Sequence, residues 1–201
     1  FLFFLTFSFK TIAIDLNIPV TEDQWRKAYD SLNWIEGPKK MSFNEANSKI
    51  DISSRFGILE NEDANQFLYW SNGVQFPHVK IYAIDQNEGS QIYFFYEESG
   101  YVKTNDWTDV DPDKFLEQLK KLYKTANEER KKNNLAYVLD VSWKKKPYLD
   151  GIYDSVYYAL DVKWSDNTSS QEGTALILGR EGYTTAIYVA GDNRYNEQIL
   201  L

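Results

Sequence analysis

The chain is predicted to fold as an α+β domain: a mainly antiparallel sheet with about three helices, the long helix near residues 111–132 packed on one face. Three observations predict it. The aromatic load is heavy, with 6 Trp, 15 Tyr and 12 Phe in 201 residues, and rings favour strands and carry large buried areas. One segment has a clean helical stripe. The last third alternates apolar and polar residues with the period of a strand.

Taken in order, the chain begins with the apolar run Phe1 to Phe9 and continues Lys10-Thr11-Ile12-Ala13. The run is too short to span a bilayer as a helix. It matches the apolar region of a secretory signal, with Thr11 and Ala13 as small residues before a cleavage point. Residues 1–13 are therefore read as the remnant of a signal peptide and 14–201 as one globular domain; a Phe-rich amino-terminal strand is the alternative. Thr21 can cap a helix in which Trp25, Tyr29 and Leu32 share a face, with Glu36-Gly37-Pro38 as its stop. Residues 41–43 and 49–52 form strand candidates around Asn44-Glu45-Ala46-Asn47. A second helix is expected over 61–70, with Ala64, Phe67 and Leu68 inward and Ser71-Asn72-Gly73 ending it.

Residues 78–84 alternate, placing Val79, Ile81 and Ala83 on one face of a strand, and 85–90 read as a turn. The run 91–96 is nearly all apolar or aromatic, which suits a central strand covered on both faces. Asp111-Pro112 starts the clearest helix: Asp111 caps free amides and Pro112 needs no N–H at the first position. Phe115, Leu116, Leu119, Leu122, Tyr123 and Ala126 form its inward stripe, and Asn133-Asn134 ends it. Beyond it, Tyr137, Leu139, Val141 and Trp143 alternate, as do Val156, Tyr158, Leu160, Val162 and Trp164. Strands over 174–178 and 183–189 flank the hairpin connection Gly179-Arg180-Glu181-Gly182. Consecutive strands on short connections pair antiparallel.

Composition removes several chemistries. With no Cys there are no disulfides, thiolate nucleophiles or Cys-ligated metals. A formal charge of −8 argues against nucleic acid, whose binding is dominated by Lys and Arg. Lys144-Lys145-Lys146 before Pro147 is the one basic cluster and reads as a solvated loop. His78 is the only histidine; no G-x-S-x-G elbow accompanies it, and it reads as an ordinary strand-edge residue. Gly179 and Gly182 with Arg180 could hold an anion, although a hairpin loop explains both glycines. No P-loop or dinucleotide fingerprint occurs, and no cofactor is implied.

Two constellations remain. Glu97, Glu98, Asp106, Asp109, Asp111 and Asp113 are dense in carboxylates. Glu97, Asp106 and Asp109 are the candidates for a calcium ion, which takes six to eight oxygens, although the spacing is not that of an EF-hand. A solvated acidic loop leading into the helix is the simpler reading, and a hydrolase using carboxylates of 97–113 is the enzymatic one. The second constellation is Tyr153, Tyr157, Tyr158, Trp164, Tyr183 and Tyr188. Most belong in a core. If helices cover only one sheet face, however, Tyr157, Tyr188 and Thr184 alternate away from them and would floor a binding platform for a glycan or a partner protein.

Several blocks, taken together, resemble a known family. They are Tyr96-Glu97-Glu98-Ser99-Gly100-Tyr101-Val102-Lys103, then 111–114, Ala126-Asn127-Glu128-Glu129-Arg130, 143–148, Tyr158-Ala159-Leu160 and Leu178-Gly179-Arg180-Glu181-Gly182. Gly37-Pro38 and 50–56 extend the similarity upstream, so that it covers roughly 22–190. The family is bacterial, is described as predicted membrane-anchored proteins and is catalogued as domain of unknown function 2167. The resemblance implies a secreted domain in the periplasm or cell envelope, tethered by hydrophobic helices outside this chain. It transfers no catalytic or binding residue. The expectation is a non-catalytic binding or interaction module for an envelope protein or glycan, touching the membrane only through that tether; a hydrolase and a structural spacer are the alternatives.

Overall fold

The structure, a computed structural model, describes residues 17–43, 48–101, 107–150, 155–191 and 194–196. The signal-like residues 1–13 lie outside them, as does the turn at 44–47. Helix α1 (Glu22–Asp30) starts with a complete capping box: the Thr21 hydroxyl accepts from the Gln24 amide while the Gln24 side chain accepts from the Thr21 N–H. It ends six residues before the expected Glu36 stop. Ser31 closes it, and the chain turns into β1 (Ile35–Glu36), which pairs with β4 (Phe56–Glu60). Strands β2 (Lys39–Phe43) and β3 (Ser48–Ile52) form a separate two-stranded sheet.

No strand is expected at β4 from the sequence, because its apolar run leads straight into α2 (Asn61–Asn72) without a turn between them. Gly73, at φ +68, is the left-handed residue that stops α2, a conformation glycine adopts without a Cβ clash. Strands β5 (Val79–Asp85) and β6 (Gln91–Glu97) follow. Asp85 locks the turn between them: its carboxylate accepts from the Asn87 and Glu88 amides and lies 2.7 Å from Arg55 Nε. Helix α3 (Pro112–Lys132) runs as expected, with the Asp111 carboxylate accepting from the Asp113 and Lys114 amides. Strands β7 (Val138–Asp150), β8 (Ser155–Trp164), β9 (Ser169–Leu178) and β10 (Tyr183–Gly191) complete the molecule. The eight-stranded sheet is antiparallel, in the order β1-β4-β5-β6-β10-β9-β8-β7.

Register fixes which side chains share a face. Leu59, Tyr82, Tyr93, Ile187, Thr174 and Tyr158 lie side by side across six strands. At one end of that row, Ala64 and Leu68 of α2 pack on Leu59 and Tyr82. At the other, Phe115 and Leu119 of α3 pack on Tyr158, Leu160 and Val162. Both helices therefore cover the same face. On the opposite face Ile58, Ala83, Ile92, Tyr188, Gly173 and Ala159 form the matching row, and Met41 and Ile52 of the small sheet close over Ile58 and Ile92.

Bulges correct two of the expected alternations. A register shift after Val79 turns that side chain to the α2 face, away from Ile81 and Ala83. Another shift leaves Leu139 61% exposed while Val138 and Val141 face α3. The three lysines expected in a loop lie within β7, where the register shifts again between Trp143 and Lys145 and between Lys145 and Tyr148.

Candidate functional site

Sheet width and helix width decide where the covered face is open. Eight strands about 4.8 Å apart span about 34 Å, whereas two helices with their side chains cover about 10–12 Å each. Helix α2 sits over β4 and β5, and α3 over β7 and β8. Among the described residues, the central strands between them carry no helix of their own. Strand β10 records the result: Thr184, Ala186, Tyr188 and Ala190 are buried, while Tyr183, Thr185, Ile187 and Val189 on the helix side stay half-buried. On the helix side β10 is thus half-buried, although its same-face neighbours Phe95, Thr174 and Leu176 are buried.

The helices converge at one end of it. Arg130 of α3 donates through Nη1 to the Asn72 carbonyl at 3.2 Å and to Asn72 Oδ1 at 3.1 Å, and its Nε donates to the Ala136 carbonyl. Its guanidinium also stacks over the Trp164 ring, 4.8 Å from the centroid. Asn133 adds a bond to the Gly73 carbonyl. Beneath this brace lies a polar cluster. Tyr123 of α3 donates to Glu172 Oε2 on β9, and Ser170 is a second hydrogen-bond partner of that carboxylate. Trp164 Nε1 donates to Ser170 Oγ at 2.9 Å. Across β10, Tyr93 donates to Gln91 Oε1 at 2.6 Å.

Burial governs the protonation of these groups. It pushes the Glu172 carboxyl up, and the opposing pull of Tyr123, Arg130 and Ser170 does not cancel it. Burial likewise raises Tyr93 and Tyr123, with the nearby Glu172 charge adding to both, and it raises Tyr158 to about 12. Tyr93, Tyr123 and Glu172 nevertheless keep solvent contact. These groups are crowded by protein yet only half-buried, at one end of β10. At its other end Tyr183 is raised by burial and by its neighbour Glu97. The half-buried hydroxyls, amide and carboxyl around β10 can donate and accept hydrogen bonds.

Tyr157, Tyr188 and Thr184 do point away from the helices, as their alternation predicts. They do not form an open platform, and that expectation is corrected: Tyr157 and Tyr188 are 0% exposed and Thr184 4%. Small residues on this face, Ala159, Ala175, Ala186 and Gly173, let covering rings approach. The Tyr195 ring packs at a tilt against Tyr188 at 5.6 Å, and Tyr148 against Tyr157 at 5.5 Å. A Cβ on Gly173 would lie 2.2 Å from the Tyr195 hydroxyl oxygen. Lys145 then lies over Tyr148, 4.4 Å from the ring centre. Tyr158, Trp164 and Tyr183 belong to the helix face, and Tyr153 lies outside the described residues.

The acidic constellation is dispersed over separate structural tasks. Asp111 caps α3, Asp113 lies 3.5 Å from Lys146 Nζ, and Glu97 neighbours Tyr183. Glu97 and Asp109 are exposed, and Asp106 lies outside the described residues. Among the described residues, no group of three or more His, Asp or Glu gathers to hold a metal. His78 is exposed immediately before β5, and Gly179 N–H closes the β9–β10 hairpin on the Gly182 carbonyl at 2.9 Å.

Sequence reasoning misses Glu172 and Gln91 as members of a site. The available signal for Glu172 is its place in the alternation Ser170, Glu172, Thr174, Leu176, which puts a carboxylate on the same face as Tyr158 and Leu160.

No helix among the described residues is long and apolar enough to cross a membrane. A search of curated proteins finds no match. Among solved structures, the chain is similar to cyanobacterial PsbP from Synechocystis sp. PCC 6803, in a solution structure. Identity is 13% and the TM-score 0.44, over 78% of this chain and 81% of that one. The model of the family described as protein of unknown function (DUF2167) matches residues 35–199, from β1 past β10. The chain belongs to that family.

Proposed function

We propose that this chain is the extracytoplasmic, non-catalytic binding part of a membrane-anchored bacterial envelope protein, and that its ligand lies on the half-buried helix side of β10. The carrying observation is the inversion of burial on that strand, where the side facing the helices is the wetter one. Pre-formed concave sites with a few polar groups are the usual form of a binding site. The lining offers rings, hydroxyls and one hydrogen-bonded carboxyl. The location is supported by the apolar run of 1–13, read from the sequence as a signal remnant, and by the family resemblance.

Fluorotyrosine labelling tests the site. Solubilised envelope glycans and peptides should shift the ¹⁹F resonances of Tyr93 and Tyr183 and leave Tyr157 and Tyr188 in place. Shifts confined to Tyr157 and Tyr188, or none at all, would remove this side of β10 as the site. Protease added outside spheroplasts should digest this domain of the full-length protein; protection would remove the extracytoplasmic reading.

A further inference from the structure

We infer that Glu172 and Arg130 form a proton-operated latch at the end where α2 and α3 meet. With the Glu172 carboxyl neutral, Arg130 holds the end of α2. With it ionised, the guanidinium is drawn from Asn72 towards the carboxylate. The latch belongs to the fold and works whatever ligand the molecule takes.

Glu172 sits where a charge is poorly placed. Its register partners are Val189 on β10 and Leu160 on β8, both apolar. Tyr123 and Ser170 hydrogen-bond to its carboxyl. Arg130 is the cation that acts on it, yet that guanidinium gives its hydrogen bonds to neutral oxygens, those of Asn72 and Ala136. A carboxylate is a stronger acceptor for guanidinium than an amide oxygen, because both partners then carry charge. Once ionised, Glu172 therefore competes with Asn72 for Arg130. Trp164 joins the two ends of the device: Arg130 lies over its ring, and its indole N–H donates to Ser170. Arg130 and Asn133 tie α3 to Asn72 and Gly73, so a weaker hold there frees the end of α2.

The groups around Glu172 leave the switching to it. Tyr123 faces it from α3, Tyr93 from β6 and Tyr158 from β8, and burial raises all three, so they stay neutral where a carboxyl titrates. Burial pulls Arg130 down, but a guanidinium keeps its proton. Asp166, which acts on Arg130 from the β8–β9 turn, is held below the ordinary carboxylate range by hydrogen bonds from Thr168 and stays ionised. On this side β10 presents Thr185, Ile187 and Val189, none of which titrates. Burial holds the Glu172 carboxyl above its ordinary range, so the latch is closed in acid and opens as pH rises.

The test is nuclear magnetic resonance of the full chain in a pH series running upward from the ordinary Glu value of about 4.3. It follows the Arg130 Nε–H, the Trp164 indole N–H and the exchange protection of Gly73, whose amide closes α2 on the Tyr69 carbonyl. Both side-chain resonances should move with one shared midpoint above that value. Across it the Gly73 protection factor should fall about threefold or more, while Leu68 within the same helix keeps its own. Glu172→Gln, neutral at every pH, should hold the acid-form resonances and protection throughout. Tyr123→Phe removes a donor that favours the carboxylate, so the midpoint should move up; it carries the test alone should the first variant not fold. A flat profile in the parent, a profile that survives Glu172→Gln, or a midpoint that stays or falls in Tyr123→Phe overturns the inference. So does Gly73 protection that rises with pH, the mark of a carboxylate that tightens the brace.

Discussion

The two sides of β10 share one backbone and do opposite things. Its even-numbered side chains are sealed between the sheet and a cover of tyrosines and the small β2–β3 sheet. Its odd-numbered ones face the helices and remain half-buried. The difference lies in what each face is packed with. Alanines and a glycine let flat rings close over one side, whereas two rigid helices at the flanks of a wide sheet leave β10 half-buried on the other. A helical layer is thus a poorer lid than a few well-placed tyrosines, and "the face opposite the helices" is no synonym for the exposed face.

The largest effect that could break this comparison is Tyr188→Ala. Removing a fully buried ring is expected to cost about 3–5 kcal/mol, read from denaturant midpoints at unchanged slope, and Ile187→Ala about 1–2 kcal/mol because Ile187 is itself only half-buried. Equal losses would mean that the two sides do not differ. Next in size is Asp111→Ala, about 1 kcal/mol for a lost helix cap. It loosens α3 at its start and should raise hydrogen exchange in the first turns of that helix more than in β10.

Glu172→Gln sharpens the picture through pH. A carboxyl raised in the folded state keeps its proton over a window in which the unfolded chain has lost it. The folded protein then binds more protons, so stability falls as pH rises through that window, which begins near the ordinary Glu value of about 4.3. The variant removes this dependence. Its melting temperature should match the parent in acid and exceed it at neutral pH; a variant less stable at neutral pH would show that the carboxylate is favourably held when charged. The smallest effect is chemical. Mild nitration should reach Tyr183 well before Tyr157 or Tyr188, as mapped by mass spectrometry.

Much of the fold is legible in the sequence wherever local chemistry and tertiary packing agree. Helix α3 carries its cap, its proline and its stripe within its own residues, and α2 has its glycine stop. Where a long-range choice intervenes, legibility ends. Strand β4 is hidden because its apolar run merges with α2, and only pairing to β1 and β5 separates them. Val79 and Leu139 sit beside bulges, and one residue slipped out of register sends a side chain to the other face. The site is harder still. Alternation places Tyr157, Tyr188 and Thr184 on the correct face, yet exposure depends on what lands there, and nothing in the pattern says that Tyr195 and Tyr148 fold back over that face. Glu172 lies in a polar stretch, Ser169 to Thr174, that resembles a loop until its partners on β8 and β10 are known.

The irregular course of β7 has a consequence for how the molecule behaves in a crowd. It is one rim of the large sheet, and the other rim, β1, is only two residues long. Along β7, interrupted register, three consecutive lysines and Pro147 spoil any template for a neighbouring copy to zip onto. Such a plate can be packed densely without polymerising edge to edge, so fibril formation should appear only in variants that straighten this rim and remove its positive charge.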